Sequence, residues 1–152
     1  MHNKALFNQK IGPKLSGVGN LSRMLAVQTF TAHKFQITPE QFMVLEVLYK
    51  NNELYQRQLS ALTLKDRPNI SRIITILEGH GFVTKTPDVN GRKIFKIKIT
   101  EDGINIYKEI LPVITQIWTD LLSNISEEEL LMCEKVLSKI KQNLVANVNI
   151  QM

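Results

Sequence analysis

A chain of 152 residues is long enough for one domain that buries roughly two-thirds of its unfolded surface. Hydrophobic residues make up 43% and charged residues 22%, an ordinary globular balance, and no apolar run reaches the ~18 residues of a membrane span. The single cysteine, Cys133, excludes an internal disulfide, and Met1-His2-Asn3-Lys4 begins no signal-peptide core. We therefore expect a cytoplasmic protein that does not enter a membrane.

The formal charge of +5 is distributed unevenly along the chain. Residues 1–54 carry 6 Lys/Arg and 3 Asp/Glu, residues 55–100 carry 9 and 3, and residues 101–152 carry 4 and 8. A basic middle block beside an acidic one is expected of a phosphate-binding module joined to a separate assembly element, because only the module that faces a polyanion needs the cations. Solvated surface charge without a partner is the alternative.

The N-terminal part of the sequence predicts a long first helix. Gly12-Pro13 is expected to break a short leader. From there to about Lys34, apolar residues recur at three- and four-residue steps, which predicts one helical stripe: Leu15, Val18, Leu21 and Leu25.

Two shorter helices follow. Thr38-Pro39-Glu40-Gln41 is a capping box with Pro at the first helical position, and the helix should stop at Asn51-Asn52-Glu53. A third helix is predicted over about Gln56 to Thr63, with Leu59 and Leu62 facing the core. The predicted buried stripe of the second helix consists of Phe42, Leu45, Leu48 and Tyr49.

The fourth predicted helix is basic and has two distinct faces. Asp66 can cap it, and Pro68 is tolerated in a first turn where its missing N–H loses no partner. One stripe is apolar and predicted to be buried: Ile70, Ile73, Ile74 and Leu77. The opposite side carries Pro68, Asn69, Ser71, Arg72 and Thr75.

This outward side suits the major groove of DNA. Arg can form a bidentate contact with a guanine edge, Asn can do so with adenine, and hydroxyl groups can meet other base edges or phosphates. An exposed polar face without a partner is the alternative, since any surface helix has one.

A strand-turn-strand follows the basic helix. Gly79-His80-Gly81 ends the helix, Phe82 to Thr86 is an extended segment, and Lys93 to Ile99 alternates polar and apolar residues as a half-buried strand does. Pro87-Asp88-Val89-Asn90-Gly91 has the chemistry of a tight turn. The adjacent cations Arg92 and Lys93 are suited to the DNA backbone or to a narrow minor groove.

The last third predicts two helices that assemble subunits. The first begins after Thr100, and Pro112 is expected to bend it. Its apolar stripe consists of Ile104, Tyr107, Leu111, Ile114, Trp118 and Leu121. Ser126-Glu127-Glu128-Glu129 is a second capping box, followed by a seam of Leu130, Cys133, Leu137, Ile140 and Leu144. With the first helix, these stripes favour an intermolecular interface, and packing within one chain is the alternative.

Two motifs in this order resemble the MarR-type transcriptional regulators. Leu77-Glu78-Gly79-His80-Gly81-Phe82-Val83 resembles the family's junction between recognition helix and wing, and Ile99-Thr100-Glu101-Asp102-Gly103 resembles the start of its next helix. The likeness extends from the Thr38-Pro39-Glu40-Gln41 helix to the end of the chain. It implies a homodimeric winged-helix DNA-binding protein, usually a repressor, often released from DNA by a small lipophilic or phenolic effector.

The wing departs from the family pattern. The family's acidic residue, which commonly orients a minor-groove arginine, falls on Gly91, and the arginine itself falls on Lys93. Lysine lacks the planar fork of arginine, so the exchange is not conservative. Either Arg92 or Lys93 could enter the minor groove, or both could hold phosphates.

The sequence therefore predicts a mainly α fold with a small β-hairpin wing, a winged helix-turn-helix with N- and C-terminal dimerisation helices. We expect a single unit over residues 1–152, with residues 38–100 binding DNA and residues 5–35 and 101–147 forming the dimer. The predicted partners are a pseudo-palindromic operator and a second copy of the chain. The predicted DNA-binding residues are Arg67, Pro68, Asn69, Ser71, Arg72, Thr75, Asn90, Gly91, Arg92 and Lys93.

Other chemistry has little support in the sequence. His2, His33 and His80 are scattered, so we expect no metal, no cofactor and no catalytic site. Cys133 could be a redox sensor, but a small buried hydrophobic residue in a seam is the ordinary interpretation. A winged-helix module that binds another protein without recognising DNA remains the alternative function.

Overall fold

A computed structural model of the protein describes residues 2–87 and 94–148. The described residues form helices and a small antiparallel sheet, and the chain divides into two compact units, Met1–Phe42 and Met43–Met152. No helix within the described ranges is long and apolar enough to span a membrane. The elements in chain order are α1 (His2–Ala32), α2 (Pro39–Asn51), β1 (Glu53–Tyr55), α3 (Gln56–Thr63), α4 (Arg67–Gly79), β2 (Val83–Pro87), β3 (Phe95–Ile99), α5 (Glu101–Leu122) and α6 (Glu127–Asn147).

Helix α1 continues through Pro13, so the predicted break at Gly12-Pro13 is wrong. A proline in a helix interior removes one hydrogen bond, here to the carbonyl of Gln9, and costs about 3 kcal/mol. Good helix formers lie on both sides of the proline, such as Lys10 before it and Lys14 and Leu15 after it, and these favour a continuous helix. Helix α1 ends near Lys34, which has a positive φ of 55°.

Aromatic contacts and a capping box connect the end of α1 to the start of α2. The ring of Phe30 makes edge contacts with Phe35 at 5.3 Å and with Phe42 at 6.0 Å. The backbone N–H of Thr38 donates to Gln41 Oε1 at 3.0 Å, and the N–H of Gln41 donates to Thr38 Oγ1 at 3.3 Å. The predicted capping box is therefore confirmed.

In the second unit, α2 continues to Asn51 and its predicted stripe is buried at Leu45 and Leu48. Tyr49 is the exception: 42% of its surface is exposed, so its predicted burial is wrong. Its ring instead stacks on that of Tyr107, with 4.4 Å between the centroids. The turn after α2 contains Asn52 with a φ of 63°, as the predicted stop requires.

The sheet has three strands in the order β1-β3-β2, and both pairs are antiparallel. Strand β3 pairs with β2 from Val83 opposite Ile99 to Pro87 opposite Phe95, which confirms the hairpin. The short strand β1, which the sequence did not predict, adds to the other edge of β3 and places Tyr55 opposite Lys96.

Helix α3 has the predicted bounds but a different buried face. Leu59 is fully buried as predicted, whereas Leu62 is 55% exposed, and Ser60 and Thr63 face the core instead. The hydroxyl of Thr63 donates to the carbonyl of Leu59 at 2.6 Å, so its burial leaves the donor satisfied.

The last two helices leave most of their apolar residues uncovered within the single chain. The buried residues of α5 lie at its N-terminal half, whereas Trp118 is 46% exposed and Leu111 and Leu121 are also exposed. Helix α6 begins with the predicted Ser126/Glu129 capping box and has no buried residue. Cys133 is exposed in the single chain, and its burial in a seam between subunits stays a prediction. The exposed large apolar residues of α6 are Leu131, Met132, Val136, Leu137, Leu144 and Val145.

Candidate nucleic-acid interface

Helix α4 has the two faces that the sequence predicts. Its carboxylate cap is in place, because Asp66 accepts a hydrogen bond from the backbone N–H of Asn69 at 2.8 Å. The predicted core residues are all buried, with at most 2% exposure: Ile70, Ile73, Ile74 and Leu77. Helix α4 packs against α3 and β2, so its inner side is fixed to the rest of the motif.

The outer side of α4 is polar and open. Arg67, Pro68, Ser71, Arg72 and Thr75 are exposed, and Asn69 is partly exposed. We call Asn69, Ser71, Arg72 and Thr75 the reading face. These four side chains lie within two turns of one helix, an arrangement that can meet a few successive base pairs when a helix enters the major groove.

Hydrogen bonds within α4 occupy part of the reading face. Arg72 Nη2 donates to Asn69 Oδ1 at 3.4 Å, a long contact that aligns the two side chains. Thr75 Oγ1 donates to the backbone carbonyl of Ser71 at 2.9 Å, so its oxygen and methyl group are the parts left for a partner. The guanidinium keeps most of its donors available for a base edge.

A residue outside α4 also reaches the reading face. Gln56, the first residue of α3, donates from Nε2 to the hydroxyl of Ser71. The sequence did not predict this contact, because the pair is 15 residues apart and helical periodicity carries no information on contacts between two helices. The available signal was its place at the start of the helix before the basic one.

Lys96 and Lys98 of β3 lie on the outer side of the sheet, whereas Lys85 of β2 lies on the side of the buried Ile97. Lys96 Nζ lies 3.0 Å from Glu53 Oε1 and 5.4 Å from the ring centroid of Tyr55, so a carboxylate already offsets its charge. Lys98 is exposed. Lys85 Nζ lies 4.0 Å from the ring centroid of Phe95, a cation–π contact across the hairpin. The predicted wing-tip residues Asn90, Gly91, Arg92 and Lys93 lie outside the described residues.

A hydroxyl group ties the base of the hairpin to α5. Thr100 Oγ1 donates to the carbonyl of Gly81 at 2.6 Å and accepts from the N–H of Gly103 at 3.1 Å. Gly81 has a φ of 76°, which glycine adopts without strain, and it ends α4 in the turn toward β2. One threonine thus caps α5 and anchors the turn between α4 and the wing.

No cluster that could hold a metal is present in the part of the chain that the structure describes. In residues 2–87 and 94–148, no group of three or more His, Cys, Asp or Glu side chains is placed to bind an ion.

Comparison with known proteins agrees with this geometry. The model of the MarR family matches residues 37–95. The chain is 28% identical over 111 residues to the HTH-type transcriptional regulator MhqR of Bacillus subtilis, covering 73% of this chain and 77% of MhqR. It is also similar in structure to S. aureus MepR in complex with DNA, with a TM-score of 0.80, 22% identity and coverage of 89% of this chain and 98% of MepR.

A third similar structure is that of a ligand-bound regulator. The organohalide-sensing transcriptional regulator RdhR in its 2,4-dichlorophenol-bound form has a TM-score of 0.79 and 18% identity, covering 90% of this chain and 80% of RdhR. The α3-α4 pair and the hairpin after it define a winged helix-turn-helix protein of the transcription-regulator class. Within that class, this chain is similar to the regulators of the MarR family.

Proposed function

We propose that the protein is a homodimeric, sequence-specific DNA-binding transcriptional regulator that acts as a repressor. The observation that carries the proposal is the reading face, four polar side chains opposite a buried apolar stripe on one helix. Asn69, Ser71, Arg72 and Thr75 contact base edges. Arg67, Arg92 and Lys93 hold phosphates or enter the minor groove, and Pro68, Asn90 and Gly91 also contact the DNA.

The proposed dimer uses the apolar side of the terminal helices. Residues 38–100 are the DNA-binding part, and residues 5–35 and 101–147 form the dimerisation part. The exposed apolar residues of α5 and α6 support this division, since contiguous apolar surface on a single chain marks an interaction site. A two-fold dimer presents two copies of α4 about one DNA turn apart, so the operator is pseudo-palindromic.

The proposed signal is a small lipophilic or phenolic ligand that releases the protein from DNA. The similarity to RdhR in its 2,4-dichlorophenol-bound form supports this part. We also propose that the protein works in the cytoplasm with its DNA and has no enzymatic activity, in keeping with relatives that are transcriptional regulators. Titration of the protein–operator complex with 2,4-dichlorophenol, with phenylalanine as an unrelated aromatic control, tests the release.

The test of DNA recognition is selection of bound sequences from random duplex DNA, followed by affinity measurements on the selected operator. Arg72→Ala is expected to cost about 1–3 kcal/mol of binding free energy on the operator and to relax its base preference. Lys93→Ala is expected to weaken operator and random DNA alike and to flatten the salt dependence. Equal losses on both DNAs from both variants would contradict these separate roles, and selection without an enriched motif would favour the protein-binding alternative.

A further inference from the structure

We propose that Gln56 of α3 is a further specificity-determining residue, which holds the hydroxyl of Ser71 as a hydrogen-bond donor toward the DNA. The inference rests on the proposed function and extends it to a residue outside the recognition helix. Its basis is the hydrogen bond from Gln56 Nε2 to Ser71 Oγ.

The backbone at Gln56 is held in place from two sides. The preceding residue, Tyr55, ends β1 and is paired with Lys96 of β3. The backbone N–H of Tyr55 also donates to Gln58 Oε1 at 2.8 Å, which fixes the first turn of α3. Because the sheet and this turn both hold the backbone, the side-chain amide of Gln56 reaches α4 from a fixed point. Gln56 is partly exposed beside the reading face.

The contact limits what the Ser71 hydroxyl can do. A serine oxygen accepts through its lone pairs and donates through one hydrogen, which rotates to suit its partners. With a lone pair of Oγ engaged by Gln56, the hydroxyl hydrogen turns away from the amide. Among the described residues it meets no acceptor, so it is available to a partner as a donor.

The other members of the reading face differ in this respect. Thr75 donates its hydroxyl hydrogen to the carbonyl of Ser71, so its oxygen can only accept from a partner and its methyl group remains exposed. Asn69 accepts from Arg72, which leaves its amide hydrogens as donors. Gln56 therefore sets the direction in which the Ser71 hydroxyl donates. The Oε1 atom of Gln56 and its second amide hydrogen lie beside this hydroxyl as a further acceptor and a further donor.

The direction of the Ser71 hydroxyl predicts which base edges the operator presents to it. With one lone pair of Ser71 Oγ engaged by Gln56, the hydroxyl favours a base edge that presents an acceptor in the major groove, which purine N7, guanine O6 and thymine O4 provide and the cytosine amino group does not. A variant without the amide frees this lone pair and lets the hydroxyl rotate, so that Ser71 accepts from a base more readily. The base preference at that one position should then broaden.

The experiment compares selected motifs and affinities for the wild type, Gln56→Ala, Gln56→Met and Ser71→Ala. Gln56→Met keeps the length of the side chain and removes its hydrogen bonds. We expect both Gln56 variants to broaden the preference at the same half-site position as Ser71→Ala, and to weaken operator binding about fivefold. Affinity for random DNA should stay the same, and the double variant Gln56→Ala/Ser71→Ala should lose less than the product of the single losses.

The control is Gln36→Ala, which removes an exposed glutamine from the segment between α1 and α2 and should leave the motif and the affinity unchanged. An unchanged motif in both Gln56 variants would overturn the inference alone and leave the proposed function standing. A uniform loss on all DNA together with a lower thermal midpoint would also overturn it, because that is the effect of a purely structural link. A wild type that selects no motif would overturn the inference and the proposed function together.

Discussion

The carbonyl oxygen of Phe82 lies 2.1 Å from the position that a Cβ atom on Gly103 would occupy. A side-chain carbon at Gly103 would also lie 2.8 Å from Ile99 Cγ1. Helix α5 can therefore approach the start of the wing only because its third residue has no side chain. This close approach, together with the Thr100 hydrogen bonds, explains in physical terms why a threonine and a glycine occur three residues apart at this junction.

Gly103→Ala is expected to lower the free energy of unfolding by about 1–3 kcal/mol or more, because the new methyl group meets backbone that cannot move aside cheaply. Urea denaturation followed by circular dichroism measures the change. The control is Gly79→Ala, whose Cβ would meet nothing within 4 Å and which should change stability by less than about 1 kcal/mol. Equal effects of the two variants would contradict the close approach.

Lys98→Ala is expected to flatten the dependence of DNA affinity on salt by about one unit of slope, because an exposed lysine on the outer side of β3 can neutralise a phosphate. Lys96→Ala should change the slope less, since Glu53 already offsets its charge at 3.0 Å. Fluorescence anisotropy over a range of salt concentrations measures both.

The control for the lysines is Lys135→Ala, which removes an exposed lysine from α6 in the part of the chain proposed to form the dimer. If Lys135→Ala flattened the salt dependence as much as Lys98→Ala, the sheet would have no special role in phosphate binding.

Leu144→Glu is expected to convert the dimer into monomers at micromolar concentration, because it places a charge on the apolar side of α6, where Leu144 is 56% exposed in the single chain. The adjacent variant Asn143→Glu adds the same charge at a polar exposed position and should remain dimeric. Sedimentation velocity distinguishes the two states. A dimeric Leu144→Glu would place the interface elsewhere.

The capping box of α6 should make its stability depend on pH. Glu129 accepts hydrogen bonds from the backbone N–H and the hydroxyl of Ser126 at 2.9 and 2.8 Å, and these lower the pKa of its carboxyl below the ordinary value of 4.5. A lowered pKa in the folded state contributes stability that is fully present above the unfolded pKa and is lost as the pH falls through the folded pKa.

Glu129→Gln keeps a residue suited to a capping box and cannot titrate. The advantage of the wild type over Glu129→Gln in thermal midpoint should therefore be largest near neutral pH and shrink as the pH falls below 4.5, the ordinary pKa of the carboxyl. Glu128→Gln removes the same charge from the same turn without hydrogen bonds to Ser126, and serves as the control. A difference between wild type and Glu129→Gln that does not vary with pH would contradict the role of the carboxylate.

The sequence predicted the elements whose signals are local. The caps Thr38, Asp66 and Ser126 and the alternation after Lys93 depend on neighbours within four residues, and the helices and hairpin they indicate are present. Strand β1 was missed because three residues are too few to show alternation, and it exists as an edge partner of β3.

The sequence predicted the part of the candidate site that lies on one helix and not the part that lies on its neighbour. The four residues of the reading face share one helix, so its periodicity placed them together. Gln56 joins them only through the packing of α3 on α4, and Leu62 faces outward because Ser60 and Thr63 complete the buried side of α3. Contacts between elements depend on how helices are packed, which spacing within one helix does not specify.

Helix α6 has no buried residue in the single chain, and in the proposed dimer this would link its folding to the protein concentration. A helix that gains its apolar contacts from a second copy is stabilised by mass action, so its persistence rises with protein concentration. At low protein concentration, α6 would then unfold before the recognition helix α4 does. The abundance of the regulator would then set how much of it is competent to act.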